Sequence, residues 1–148
     1  LAQDKDMSIH KIYSKKQENK LLHMIYKLEN NSVPREDIIP AEEFLQVSCI
    51  KLKNNKTFDP HEHLYKTGEP KVIAQESWVV IKGKVKFSAF DLGGQLLEEH
   101  VLNAGDCSIT LYGGHNYQAL EDNTIVYEYK TGPYKGQKLD KKPLLQDK

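Results

Sequence analysis

An all-β fold, an antiparallel sandwich or barrel, is predicted for this 148-residue chain by three observations. From residue 44 onward, short runs rich in β-branched and aromatic residues alternate apolar and polar positions, the period of a half-buried strand. Polar or glycine-bearing turn signals separate these runs at close spacing, as they do in sandwiches and barrels. The length, with 39% hydrophobic and 28% charged residues, suits one globular domain around a single core.

The elements follow in chain order. KLLHMIYKLE (20–29) places Leu21, Ile25 and Leu28 at helical spacing, and Leu22, Met24, Tyr26 and Leu28 at strand spacing. A strand is preferred, because the remainder is β and Ile25-Tyr26 suit one. VPREDIIPAEEF (33–44), with two prolines, reads as a loop with one short helical turn at 40–44. FLQVSCIKL (44–52) is a strand closed by the turn signal Asn54-Asn55-Lys56. SWVVIKGKVKFSAFDL (77–92) holds an apolar run, then Lys82-Gly83-Lys84, then Val85, Phe87 and Ala89 in alternation; it predicts a hairpin with Gly83 at its tight turn. DLGGQLLEEHVL (91–102) predicts a second hairpin at Gly93-Gly94. Residues 103–120 turn at Asn103-Ala104-Gly105-Asp106 and continue as a strand toward His115. EDNTIVYEYK (121–130) turns at Asp122-Asn123 and runs out as a last strand. The tail after Gly132, broken by glycine and proline, reads as irregular and folded over the barrel.

Twenty-one basic residues balance twenty-one acidic ones, so no global field draws nucleic acid or anionic lipid. Lysines gather at 11–20, 51–56 and 130–142, which reads as solvated surface. No apolar run approaches the roughly 18 residues of a membrane helix. The expected partner is therefore a small molecule, not nucleic acid or a membrane. Residues 1–10 lack the apolar stretch of a signal peptide, and Met7 is a candidate natural start, with residues 1–6 then extraneous. Two isolated cysteines, Cys49 and Cys107, suit a reducing compartment, and the expected location is the cytoplasm.

FDPHEHLYK (58–66) holds the candidate chemistry. Pro60 favours extended backbone at Asp59, and residues two apart on a strand share a face, so His61 and His63 project together. Further ligands must come from other strands. Glu76 opens the next strand, with Glu69 as a competing carboxylate, and His115 follows Gly113-Gly114. Three histidines and a carboxylate form a shell for a borderline divalent metal: iron, zinc, manganese, nickel or cobalt. The bland alternatives are a polar strand end for His61 and His63, and a hydrogen-bonded histidine beside a glycine turn for His115. His10, His23 and His100 have no motif partners; His23 is expected in a core and His100 in solvent. Trp78 is expected in the core. Tyr65, Tyr112, Tyr117 and Tyr127 are candidates for the barrel mouth, each equally at home as an ordinary sheet residue. Lys130 and Tyr134 are placed near the site or in packing.

The order His-x-His, then Glu76, six residues and Gly83, then Gly105-Asp106, Gly113 and His115, resembles the two motifs of the cupin superfamily. VYEYKTGPYKGQKLDK (126–141) is similar to the E-x-K-x-G-P-Y … D-K ending of WbuC-type cupin metalloproteins, which are associated with polysaccharide gene clusters. The likeness spans roughly residues 44–141. It departs from the usual pattern in the long segment between His63 and Glu76, in Leu111 where proline is usual, in the early placement of His115, and in the tail KKPLLQDK.

The resemblance implies a single-domain cupin, a double-stranded β-helix or jelly-roll barrel over residues 44–130. An N-terminal extension (1–43) and an irregular tail (131–148) flank it. It further implies one divalent transition metal per chain on His61, His63, Glu76 and His115. The implied activity is an isomerase or epimerase acting on a small sugar-like or polar metabolite in polysaccharide biosynthesis, with Tyr117 and Glu128 as candidate bases. An iron-dependent dioxygenase, a non-catalytic metal-dependent ligand-binding module, and a nucleotide-sugar ketoisomerase that uses histidines as acid and base without metal are rival readings. A homodimer pairing through an N-terminal edge strand is expected.

Overall fold

The computed structural model describes residues 8–28, 33–66, 72–133 and 136–144. It comprises two compact units, Leu1–Val33 and Pro34–Lys148. In the first, β1 (Ile9–Tyr13) and β2 (Leu21–Tyr26) form an antiparallel ladder with Ile9 opposite Tyr26. The Ser14 hydroxyl accepts the backbone N–H groups of Lys16 and Gln17, a local device that turns the chain between the strands. The strand period of residues 20–29 thus prevails over the helical one. His23 is exposed on β2, not in a core, because a two-stranded ladder has no second layer of its own to bury it.

The second unit is built from two five-stranded antiparallel sheets. The first contains β10 (Leu96–Asn103), β9 (Lys84–Phe90), β12 (Gly114–Ala119), β5 (His61–His63) and β14 (Lys141–Pro143), in that order. The second contains β11 (Cys107–Thr110), β8 (Glu76–Lys82), β13 (Thr124–Thr131), β4 (Leu45–Leu52) and β3 (Arg35–Asp37). A short ladder joins β6 (Tyr65–Lys66) to β7 (Val72–Ile73) within the long segment between His63 and Glu76.

Strand alternation carries each inward row from an apolar end to a polar end. β8 contributes Val80, Trp78 and then Glu76; β12 contributes Ala119, Tyr117 and then His115. β13 contributes Val126 and then Glu128, opposite Ile50 and Ser48 of β4. Ile50, Leu52, Trp78, Val80, Val85, Tyr117, Ala119 and Val126 make one buried cluster. The polar ends of the same rows meet beside it, so packing of the core sets the position of the site.

Four local expectations are revised. β8 and β9 lie in different sheets, so Gly83 is a corner and not a hairpin turn. One residue between two strands is too short for a two-residue hairpin loop. Gly83 has φ 85°, and a Cβ there would stand 2.8 Å from the Thr124 Cα, so both backbone angle and space call for glycine. The stretch 103–120 is likewise two strands in different sheets, β11 and β12, broken at Gly113 (φ 82°). The stretch 33–44 carries β3, which pairs with β4 as Arg35 opposite Ile50, followed by a single turn in which Glu43 N–H donates to the Pro40 carbonyl. The tail is not irregular throughout: α1 (Gln137–Asp140) leads into β14, which pairs with β5. The hairpin at Gly93-Gly94 is present, joining β9 to β10.

Candidate metal centre

β5, β8 and β12 bring the expected set together. His61 and His63 flank one residue of β5; His61 lies opposite His115 at the start of β12; Glu76 opens β8. His115 is fully buried, and His63 and Glu76 are nearly so. One potential ligand atom from each of the four residues, an imidazole nitrogen or a carboxylate oxygen, lies within 4.8 Å of the other three. His115 Nε2 is 2.7 Å from Glu76 Oε2 and 3.1 Å from His61 Nε2; His63 Nε2 is 3.5 Å from Glu76 Oε2. Ligands at roughly 2.1 Å from one ion, at right angles, would stand about 3 Å apart, so the spacing fits. Glu69 lies outside the described residues, as does Tyr134.

The outer edges of the imidazoles support the same reading. His61 Nδ1–H donates to the Asp59 carbonyl at 2.9 Å, which leaves Nε2 with its lone pair facing inward. His115 Nδ1 bonds the Thr110 hydroxyl at 2.8 Å. Both ring nitrogens of His63 are buried without an aligned hydrogen bond: Asp140 Oδ2 stands at ion-pair distance, 3.3 Å from Nδ1, and Glu76 on the other side. A buried, inward-facing imidazole nitrogen lacking an aligned partner fits the role of a metal ligand. The N₃O donor set suits iron, zinc, manganese, nickel or cobalt.

Electrostatics follow from the burial. Burial, with His115 alongside, pushes His61 down to about 4. Burial acts the same way on His63, but Asp140 and Glu76 outweigh it and hold the imidazole up at about 9. For Glu76 burial opposes the charge, yet His115 and His63 hold the carboxyl well below its usual range.

A cavity of about 220 Å³ opens beside the cluster. Its wall includes both candidate bases. Tyr117 is buried, stacked on Trp78 at 3.8 Å between ring centroids, with its hydroxyl 2.7 Å from Ser108 Oγ. Burial, with Glu76, pushes that hydroxyl well above its usual range. Tyr65 and Tyr112 are exposed. Glu128 accepts from Arg35 Nη2 at 2.8 Å on one oxygen and from Trp78 Nε1 at 3.0 Å on the other. Burial and Glu76 raise the Glu128 carboxyl, and Arg35 opposes them.

Two residues of the site escaped sequence reasoning. Arg35 sits on three-residue β3, too short to show alternation, and bonds Asp37 and Ser48 as well as Glu128. Asp140 lies in the tail read as irregular, and its only signal was the D-K of the C-terminal likeness. His100 is exposed and pairs with Glu98 at 2.7 Å, outside the site.

Arg35→Ala is expected to destabilise the protein by about 2 kcal/mol at pH 7, less than the roughly 3–5 kcal/mol of a fully buried pair because Arg35 is partly exposed. Without Arg35 the Glu128 carboxyl rises further above its unfolded value. The ionised form then opposes folding, so the deficit shrinks as pH falls and Glu128 is protonated in both states. Urea melts of both proteins at pH 5 and pH 7 measure this; a deficit independent of pH would remove the pair as its source.

No family model matches the chain, and no curated protein matches its sequence. Solved structures do match in fold. KdgF from Halomonas sp. aligns with TM-score 0.53 at 19% identity, over 72% of this chain and 87% of its own. The capsular polysaccharide assembling protein CapF from Staphylococcus aureus aligns with TM-score 0.61 at 19% identity, over 79% of this chain but only 32% of the CapF chain. A conserved protein with a double-stranded β-helix domain from Klebsiella pneumoniae aligns with TM-score 0.54 at 15% identity, over 81% of this chain and 90% of its own. With two five-stranded antiparallel sheets and these neighbours, the chain has a double-stranded β-helix fold.

Proposed function

We propose that the protein is a metal-dependent enzyme of cupin type, moving a proton on a small sugar-like or polar metabolite as an isomerase or epimerase. One observation carries the reading. Three of the four clustered residues, His61, His63 and Glu76, line a cavity whose wall also holds Glu128, a buried carboxylate with a raised pKa. A divalent ion bound there supplies Lewis-acid polarisation of a carbonyl or hydroxyl oxygen. Glu128, fixed by Arg35 and Trp78, holds or releases the proton. Tyr117, with its raised pKa, keeps its hydroxyl proton and serves as a hydrogen-bond donor to substrate. The likeness of residues 126–141 to the WbuC-type ending, and a structural neighbour described as a capsular polysaccharide assembling protein, support a setting in polysaccharide biosynthesis.

The test is isotope exchange. Metal-loaded protein is incubated in D₂O with uronates, sugar phosphates and nucleotide sugars, with and without oxygen, and C–H positions next to the carbonyl are followed by NMR. Metal-dependent deuterium uptake that ignores oxygen is expected, slowed roughly 10²-fold or more in Glu128→Gln. Oxygen consumption coupled to substrate loss would instead establish a dioxygenase. Saturable binding without exchange under any metal would establish a binding module.

A further inference from the structure

We infer that Asp140, delivered by the C-terminal segment, is the orienting carboxylate of the metal centre: it positions His63 so that Nε2 faces the ion. The inference rests on the metal reading above. β14 pairs with the ligand strand β5, with Lys141 opposite His63 and Pro143 opposite His61. The clamp is closed on both sides: Leu64 N–H donates to the Asp140 carbonyl at 2.8 Å, and Leu144 N–H donates to the Pro60 carbonyl at 3.0 Å. At Gly114 a Cβ would stand 3.1 Å from the His61 carbonyl oxygen and would displace the Leu144 side chain. The tail is thus a structural wall of the ligand strand.

This arrangement leaves Asp140 only 1% exposed, with Oδ2 3.3 Å from His63 Nδ1 and 3.1 Å from Lys130 Nζ. A neutral imidazole carries one N–H and one lone pair. Placing the N–H at Nδ1, toward Asp140, frees the Nε2 lone pair on the side of Glu76. His61 is oriented by a backbone carbonyl and His115 by a hydroxyl, so among the described residues His63 is the one of the three imidazoles that faces a carboxylate on its outer edge. Carboxylate partners of this kind hold the ring and raise its basicity as a ligand. Lys130, on β13 of the opposite sheet, bonds Asp140 and ties it to the barrel. Asp140 is therefore a positioning residue and not a ligand.

The test is cobalt(II) titration of the full chain against a competing chelator, for the parent protein, Asp140→Asn and Asp140→Ala. Binding near one ion per chain is expected throughout. The dissociation constant should weaken by roughly 10–100-fold in Asp140→Ala. The asparagine variant should weaken less, because its amide oxygen keeps an acceptor facing Nδ1. Long-range ¹⁵N–¹H spectra of the zinc-loaded parent provide a readout that needs no variant: His63 should carry its proton on Nδ1. Equal affinity in all three proteins, or metal on His63 Nδ1, overturns the role of Asp140 while leaving the metal site intact. A parent protein that binds no cobalt overturns the metal reading and this inference with it, and that failure is visible in the parent arm alone. If the alanine variant does not fold, the asparagine variant and the parent spectrum decide.

Discussion

His115→Ala is expected to empty the metal site. The parent protein should carry close to one transition-metal ion per chain by elemental analysis. The variant should bind more weakly by a larger factor than the roughly 10–100-fold typical of outer partners. His115 is the central member of the cluster: fully buried, 2.7 Å from Glu76 and 3.1 Å from His61, with its ring 4.7 Å and 5.3 Å from those of His61 and His63. Its loss removes one donor and leaves Glu76 with fewer partners to hold its charge. A second readout is thermal. Metal at a hundred times its dissociation constant stabilises the parent by about 2.7 kcal/mol, which raises Tm by several degrees. In His115→Ala at the same metal concentration that rise should vanish. His61→Ala, His63→Ala and Glu76→Gln should behave alike, whereas His100→Ala, on an exposed pair, should bind like the parent. Unchanged metal content across His61→Ala, His63→Ala and His115→Ala would sink the assignment.

The cluster of three histidines and a glutamate was legible in sequence because it is written in short-range spacing and in strand alternation. His61 and His63 are two apart on one strand, and Glu76 and His115 each begin a strand, so knowing the strands nearly suffices to place the donors. What supports the donors was less legible, for physical reasons. Arg35 reaches Glu128 across 93 positions through a three-residue strand, and no local period announces so short an element. Asp140 acts through a ladder that depends on β5 having an open edge, a property of the assembled sheet and not of the tail. Gly83 misled because a glycine between two β-runs signals a turn, whereas the direction of the exit depends on which sheet the next strand joins. Local chemistry thus announced the cluster, and tertiary topology determined which side chains surround it.

Trp78→Ala should cost the most stability of any single change in the barrel, about 4 kcal/mol, within the range for a large aromatic truncated in a core. The side chain joins the apolar cluster to the polar site. It stacks on Tyr117 at 3.8 Å and 4°, meets Phe58 edge-on at 5.7 Å, and donates its indole N–H to Glu128 at 3.0 Å. Alanine leaves a cavity, frees Tyr117 from its stack, and removes one of the two donors that hold a buried carboxylate. Trp78→Phe separates these contributions. It keeps an aromatic face for Tyr117 and loses the donor, so it should cost about 1–2 kcal/mol, close to the penalty for an unsatisfied buried acceptor. Urea denaturation of the metal-free proteins measures both. A loss of about 4 kcal/mol is a large share of the roughly 5–15 kcal/mol that holds a domain folded. The alanine variant should therefore unfold at much lower denaturant, while the phenylalanine variant keeps a cooperative transition. Trp78 is not among the ligand residues, so Trp78→Phe should take up metal like the parent but lose proton-transfer activity as the Glu128 carboxyl is pushed further up. Equal destabilisation by alanine and phenylalanine would mean that the hydrogen bond, and not the stack, is what the tryptophan contributes.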